Sequence, residues 1–179
     1  MSLDTFSTTR LLAERLRPEH FGQIRTMDQN EEFMARLGGV RNGVASRQYL
    51  ERNLMHWADH GFGLWILRDR ASGVVIGRAV LRHLLVEDSD EVEVGYGFMP
   101  EYWGRGLATE ITLGCLQLAR DRLGLASVVA ITLPSNTGSQ RVMRKCGLEY
   151  QRDITHEGLL HVLYRTPPRI GGDGPGGFS

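Results

Sequence analysis

The sequence predicts an α+β domain with a mixed, mostly antiparallel central sheet of about seven strands flanked by about four helices. Two observations predict this fold class. Three β-type runs follow one another between residues 62 and 98 with no helix between them, which is typical of an antiparallel meander. Helical and strand patterns then alternate from residue 106 to residue 165, which indicates a crossover connection.

The first third of the chain predicts one strand followed by helices. A short strand is expected at Thr9–Leu16. Apolar residues then recur at helical spacing between residues 18 and 36, and Pro18 suits the first turn of a helix. A break near Asp28 interrupts this pattern, and a further amphipathic helix is expected from about Ser46 to His60.

The next segment predicts the meander. The runs Phe62–Asp69 and Val74–Leu81 flank a turn that contains Gly73, which indicates a hairpin. Apolar and other residues alternate strictly over Val92–Phe98, as they do in a half-buried strand. We expect the acidic stretch Glu87–Glu91 to be the connection between the second and third of these strands.

The last segment predicts a crossover and a final pair of strands. A helix with one apolar face is expected over Gly106–Leu123, followed by a β-branched strand at Ser127–Leu133. A second helix is expected over Asn136–Lys145. The strands Leu148–Ile154 and Leu159–Arg165 complete the predicted sheet.

Length and composition bound the classes of function. The 179-residue chain suits a single domain, which we expect at residues 1–168, with residues 169–179 as a Gly/Pro-rich disordered tail. The 21 basic and 21 acidic residues cancel, which argues against a nucleic-acid partner. No apolar run approaches the ~18 residues of a membrane span, and no signal pattern begins the chain. We therefore expect a cytoplasmic protein whose two cysteines are buried thiols.

One segment has the composition of an anion site. The strand that ends near residue 98 leads into a turn with Gly104 and Gly106, and the helix that follows has the small residues Ala108 and Thr109 in its first turn. Glycine lets the backbone approach a ligand closely, and the unpaired N–H groups of a helix start point outward. Arg105 adds local positive charge, so a diphosphate suits this turn.

Other interpretations of this turn remain open or are disfavoured. A tight strand-to-helix turn that binds nothing also needs glycine. The dinucleotide-binding fingerprint requires a third glycine where Thr109 stands, and its strand opens a βαβ unit rather than following a meander. A Walker loop requires a Gly-Lys-Ser/Thr sequence, which the chain lacks.

Two motifs resemble those of the GNAT superfamily of acyl-CoA-dependent N-acetyltransferases. The run Tyr-Trp-Gly-Arg-Gly-Leu-Ala-Thr-Glu at 102–110 resembles the pyrophosphate loop of the RimJ/RimL-like branch, which acetylates the N-termini of ribosomal proteins. The runs Asn136–Ser139 and Arg144–Leu148 resemble its second cofactor motif. The superfamily loop commonly begins with Gln or Arg, whereas Trp103 is usual in this branch. The resemblance extends from about Thr9 to Tyr164.

The resemblance implies a GNAT fold that binds acetyl-CoA. The strand edge at Phe98 and Met99 would pair with the pantetheine amides like an added strand. Asn136 would hydrogen-bond the pantetheine arm, and Ser139 would lie beside the thiol end. The pyrophosphate would be held by backbone N–H groups of six consecutive residues, namely Gly104, Arg105, Gly106, Leu107, Ala108 and Thr109.

The resemblance also suggests catalytic groups. Glu93 occupies the strand position where several GNAT enzymes have a general base, and Gly95 and Gly97 on the same face would leave room for substrate. A carboxylate at a sheet surface, with solvent removing the amine proton, is the alternative. Some members protonate the thiolate with a tyrosine where this chain has Met143, so Ser139 or a water is our substitute. The N–H of Phe98 or Met99 is the expected oxyanion donor.

The function expected from these residues is transfer of an acetyl group from acetyl-CoA to a primary amine by direct attack in a ternary complex. A protein N-terminal α-amine is one acceptor, and a small amine such as an antibiotic or polyamine is the alternative. A non-catalytic acyl-CoA sensor is a third hypothesis, against which Glu93 and Asn136 argue. No metal site is expected, because His56 and His60 lack the Glu of a His-Glu-x-x-His motif. The oligomeric state is left open, a homodimer included.

Overall fold

The computed structural model describes residues 3–168, so the tail expected at 169–179 lies outside the described residues. This part of the chain contains eight strands in one sheet and five α-helices. Their bounds are β1 Thr5–Ser7, β2 Leu11–Arg15, α1 Phe21–Asp28, α2 Glu31–Met34, α3 Gly43–His60, β3 Leu64–Asp69, β4 Val75–Val86, β5 Ser89–Phe98, α4 Leu107–Asp121, β6 Val129–Thr132, α5 Thr137–Lys145, β7 Glu149–His156 and β8 Leu159–Arg165.

The α+β class and the mostly antiparallel sheet are confirmed. The strand order is β1-β2-β3-β4-β5-β6-β8-β7, and the neighbouring strands are antiparallel except for β5 and β6, which run parallel. A right-handed α-helical crossover is the usual way to join parallel neighbours, and α4 supplies the helix here. The only paired position of β5 and β6 in the described chain is Glu93 opposite Val129, and the two strands separate beyond it.

Two differences from the prediction concern short-range pairing. The prediction lacks β1, which pairs with β2 so that Phe6 lies opposite Ala13. Three residues are too few to show a period of two, so the sequence pattern misses this strand. The predicted connection Glu87–Glu91 is wrong, because Ser89 already pairs with Val86 across a tight hairpin turn.

The break predicted near Asp28 is confirmed, since α1 ends there and α2 begins at Glu31. Asn30 caps α2 by accepting from the Phe33 N–H. The helix α3 begins at Gly43 rather than Ser46, because the Asn42 side chain accepts from the Ala45 N–H. No helix in residues 3–168 is long and apolar enough to cross a membrane.

A buried ion cluster joins α1, α3 and the sheet. The fully buried Asp28 accepts at Oδ1 from Arg78 of β4 at 2.8 Å and from Arg41 at 2.9 Å. The Arg78 guanidinium lies 5.1 Å from the ring centre of Phe33 and 4.6 Å from that of Tyr49. These contacts place α1, α2 and the start of α3 over one face of β4 and β5.

Replacing Asp28 with Asn is expected to destabilise the fold without touching the anion site. The change retains the shape but leaves two guanidinium groups, one of them buried, without their shared counter-charge. We expect the free energy of unfolding to fall by about 1–3 kcal/mol. Urea denaturation followed by tryptophan fluorescence measures the loss, and a midpoint equal to that of the wild type would contradict it.

Candidate active site

The turn between β5 and α4 has the backbone geometry of an anion cradle. Gly104 and Gly106 have φ angles of 71° and 75°, which residues with a Cβ rarely adopt. Gly106 is the N-cap of α4 and supplies no side chain to cap it. The N–H groups of Leu107, Ala108 and Thr109 therefore start a helix with no capping side chain, and this donor set fits a diphosphate.

The side chains of this turn lie away from the N–H groups. Leu107 is buried in the core, so its contribution to the turn is its backbone N–H. The Arg105 guanidinium folds back, donating from Nη2 to the Glu101 carbonyl at 2.8 Å and lying 5.1 Å from the Tyr102 ring centre. An ideal Cβ at Gly104 would meet nothing within 4 Å, so the turn is open to a ligand.

The ladder between β4 and β5 determines which backbone groups of β5 are open. Met99 donates its N–H to the Ile76 carbonyl at 2.8 Å. Gly97, two residues before Met99 on β5, pairs with Arg78 of β4. Alternate residues of an antiparallel strand point their backbone groups to opposite edges. The N–H groups of Tyr96 and Phe98 therefore face the gap where β6 has separated from β5.

Met99 is not available as the expected pairing or oxyanion group. Its N–H binds Ile76, and its carbonyl accepts from the Tyr102 N–H at 2.9 Å. The Phe98 carbonyl is also occupied, because the Trp103 indole donates to it at 2.7 Å. The Phe98 N–H is the remaining candidate of the predicted pair, and Tyr96 joins it as an edge residue that the sequence did not indicate.

Glu93 is buried on the face of β5 that α2 covers further along the strand. Its side chain is 8% exposed, and Oε2 accepts from Arg82 Nε on β4 at 2.8 Å. The Glu93 charge in turn raises the pKa of Arg82, so the guanidinium stays ionised. Among residues 3–168 no group donates to Oε1, which leaves this oxygen for a proton or a bound amine.

The glycines beside Glu93 do not leave room for substrate, contrary to the prediction. A Cβ at Gly97 would lie 2.8 Å from the Phe33 ring and 3.1 Å from Leu37. A Cβ at Gly95 would lie 3.2 Å from Val80. These positions are small because neighbouring side chains pack over the strand, and Gly97 in particular lets α2 approach β5.

Asn136 lies at the start of α5 with most of its hydrogen-bonding capacity used. Its Oδ1 accepts from the Ser139 N–H at 3.2 Å, as an N-cap does, and from Arg36 Nη1 at 3.1 Å. Its Nδ2 donates to Thr132 Oγ1 at 3.0 Å. One amide hydrogen remains for a pantetheine group, and displacement of Arg36 would release an acceptor as well.

Ser139 lies against β5. Its Oγ is 3.2 Å from the hydroxyl oxygen of Tyr96. Burial raises the pKa of Tyr96, so the phenol keeps its proton at neutral pH. Met143, one turn further along α5, is buried in the core, and its thioether has no proton to donate.

Two other groups near the site have packing roles. The Cys146 thiol, half-buried rather than buried, lies 3.6 Å from the Thr109 carbonyl, and burial raises its pKa to about 11, so it is a poor nucleophile. His56 is half-buried, and both of its ring nitrogens are engaged. Its Nδ1 bonds the Phe62 carbonyl at 2.8 Å, and its Nε2 accepts from the His83 N–H at 3.0 Å.

Comparisons with known proteins agree with this geometry. The profile of the acetyltransferase (GNAT) domain family matches residues 10–149. The FsC-acetyl coenzyme A-N(2)-transacetylase of Aspergillus fumigatus is 33% identical over 92% of this chain and 70% of its own length. A GNAT-family acetyltransferase from Bordetella pertussis superposes with a TM-score of 0.81 at 23% identity, covering 91% of this chain and 99% of that one. A RimL ribosomal α-N-protein acetyltransferase in complex with coenzyme A has a TM-score of 0.74 at 13% identity, covering 90% and 96%.

Proposed function

Since the chain belongs to the acetyltransferase (GNAT) family, whose members use acetyl-CoA, we propose that it transfers an acetyl group to a primary amine by direct attack in a ternary complex. The observation that carries this proposal is the open edge of β5 beside an uncapped helix start. That arrangement provides a row of backbone donors running from a diphosphate site to a buried carboxylate.

The turn and the strand edge provide the binding groups. The N–H groups from Gly104 to Thr109 hold the diphosphate, and Tyr96 and Phe98 present the strand edge to the pantetheine amides. Asn136 adds one donor from α5. When bound, acetyl-CoA supplies the thioester carbonyl that the amine attacks. In this proposal the Phe98 N–H stabilises the negative charge that develops on that carbonyl oxygen.

Glu93 prepares the amine. An ammonium ion has no free electron pair, so a base must remove its proton before attack. The Glu93 carboxylate is held at Oε2 by Arg82, which leaves Oε1 to accept the proton directly or through a water. Because Glu93 also marks the position where β5 and β6 part, the base lies beside the gap that the thioester would enter.

Ser139 and Tyr96 return a proton to the departing thiolate. The two hydroxyl groups are hydrogen-bonded, so Ser139 is able to donate its proton to the thiolate while Tyr96 re-supplies it. The raised pKa of Tyr96 ensures that this group is protonated over the neutral range. Ser139 is the group that touches the thiol end in this proposal, and Tyr96 positions it.

Replacing Tyr96 with Phe is expected to lower kcat about tenfold while KM for acetyl-CoA stays within about twofold, because Ser139 loses its partner but the binding groups remain. Steady-state assays of thiol release measure both constants. If Tyr96 and Ser139 act as a unit, the double variant with Ser139→Ala should lose little more than the Ser139→Ala variant alone. Full additivity of the two losses would contradict a shared role.

Two relatives support two different classes of acceptor. RimL acts on a protein N-terminal α-amine, and we propose this acceptor first because it accords with the loop sequence Tyr102–Glu110. The transacetylase relative acts on an N(2) group, which supports a small amine as the second candidate. Both acceptors would use the same coenzyme-binding groups. The residues that contact the amine therefore determine which of the two is the substrate.

A single assay separates these candidates. Free thiol released from acetyl-CoA is measured with N-terminal peptides, with polyamines and aminoglycosides, and with no acceptor, using Glu93→Gln as the matched control. Turnover with peptides alone supports the protein substrate, and turnover with small amines alone supports the alternative. Tight coenzyme binding with no turnover on either panel would support an acyl-CoA sensor instead.

A further inference from the structure

A salt bridge joins the start of β2 to the first turn of α4. Glu110 Oε2 accepts from Arg10 Nε at 2.7 Å. Glu110 Oε1 accepts from the Arg10 N–H at 2.7 Å and from the Thr8 hydroxyl at 2.5 Å. The Glu110 side chain is 15% exposed, and all of its donors come from a segment about a hundred residues away in the chain.

The same arginine reaches the glycine turn. Arg10 Nη1 donates to the Arg105 carbonyl at 2.8 Å, between the two glycines of positive φ. An ideal Cβ at Gly106 would lie 3.7 Å from Arg10 Nη2, so the guanidinium lies directly against this residue. One side chain therefore contacts both the turn and the helix that supply the N–H donors.

This contact has a consequence for the conformation of the turn. Glycine populates many backbone conformations, so a Gly-Arg-Gly turn tends to lose its shape unless other groups hold it. A hydrogen bond to the Arg105 carbonyl keeps that oxygen turned toward Arg10. The N–H groups on either side then keep a common direction, and a smaller loss of conformational entropy accompanies anion binding.

The contact also balances charge at the helix start. A carboxylate in the first turn stabilises the helix dipole but repels a phosphate. Burial acts to raise the pKa of Glu110, but the hydrogen bonds from Thr8 and Arg10 outweigh burial, and its pKa lies below the ordinary value. Glu110 is therefore ionised at neutral pH, and Arg10 supplies the compensating charge beside the anion site.

We propose that Arg10, held by Glu110, is a positioning residue that pre-forms the diphosphate site of the Gly104–Gly106 turn. The inference rests on the proposed function, since it concerns binding of the coenzyme. Glu110 ends the run at 102–110 that resembles the pyrophosphate loop but has no assigned role there, and Arg10 lies outside both motifs. The role is specific to the diphosphate, because Arg10 contacts the turn and the start of α4 rather than the open edge of β5.

The test compares two thioesters. Arg10→Met keeps the aliphatic stem but removes the guanidinium, and it is expected to weaken coenzyme A binding about 10- to 100-fold in calorimetry. The ratio of kcat/KM for acetyl-CoA to that for S-acetyl-pantetheine, which lacks the diphosphate, should fall by a similar factor. A merely structural role would lower kcat/KM equally for both thioesters and leave this ratio unchanged.

Control variants keep the outcome interpretable. Arg68→Met removes a comparable ion pair, in which Arg68 Nε lies 2.6 Å from Glu14 between β3 and β2, and it should leave coenzyme affinity unchanged. Glu110→Gln keeps the length of the side chain and provides a second variant should Arg10→Met fail to fold. It should weaken coenzyme A binding about 3- to 10-fold with the same loss of ratio.

The outcomes distinguish the two proposals. Wild-type affinity in both Arg10→Met and Glu110→Gln would overturn the positioning role while the acetyltransferase function stands. Equal losses of kcat/KM for the two thioesters in these variants would also overturn the positioning role. Wild-type protein that binds no coenzyme A in calorimetry would overturn the proposed function and this inference with it.

Discussion

Glu93→Gln is expected to lower kcat about 10²- to 10⁴-fold at neutral pH, because the amide is not a base for the ammonium proton. The change is isosteric and keeps an oxygen that accepts from Arg82 Nε, so the strand should remain in place. Coenzyme affinity should change little, since the predicted coenzyme groups are backbone donors of β5 and α4 and polar side chains of α5. Steady-state assays over a pH series, with calorimetry for the coenzyme, measure the two effects separately.

Glu91→Gln is the matched control for this prediction. Glu91 lies two residues earlier on the same face of β5, and its carboxylate also binds an arginine, with Arg165 Nη2 at 2.6 Å and Nη1 at 2.9 Å. Because it lies before the position where β5 and β6 part, its replacement should leave kcat within about twofold. An unchanged pH–rate profile in Glu93→Gln would assign proton removal to solvent instead.

Gly106→Val is expected to weaken coenzyme A binding by about 100-fold or more. At φ 75° a β-branched residue is strained by about 1–3 kcal/mol, so the turn relaxes to another conformation and its N–H groups lose their common direction. The valine side chain also enters the space beside Arg10 that the ligand approaches. Calorimetric titration with coenzyme A measures the loss.

Gly124→Val tests whether strain alone accounts for that loss. Gly124 has a φ of 64° just after the opposite end of α4, and an ideal Cβ there would meet nothing within 4 Å. The substitution should reduce thermal stability to a degree comparable with Gly106→Val but should leave coenzyme affinity at the wild-type value. Equal affinity of the Gly106→Val and wild-type proteins would contradict a role of this turn in diphosphate binding.

Much of the fold follows from short-range patterns. The alternation over Val92–Phe98 and the apolar face of α4 each depend on a period that the residues themselves show. The errors concern strand pairing that no periodicity in the sequence reveals. The strand β1 is too short for a pattern, and the β4–β5 hairpin continues through acidic residues because cross-strand pairing outweighs their weak preference for strands.

The candidate site shows the same division. The positive φ angles of Gly104 and Gly106 and the cap at Asn136 were predictable, because glycine and asparagine have local preferences for these positions. The engaged backbone of Met99 was not, since it depends on which edge of β5 faces β4. Gly97 was misinterpreted for a related reason, because its neighbours Phe33 and Leu37 come from another element.

The amino-acid sequence by itself determined the class of this protein, the order of its strands and helices apart from β1, and the turn that suits a diphosphate. These depend on interactions between residues a few positions apart, for which spacing and residue type are sufficient. Only the tertiary structure decided that Arg82 holds Glu93, that Tyr96 meets Ser139, and that Arg10 reaches Arg105. Such pairs form between distant segments, because strand register and helix packing bring them together, and no local pattern records either one.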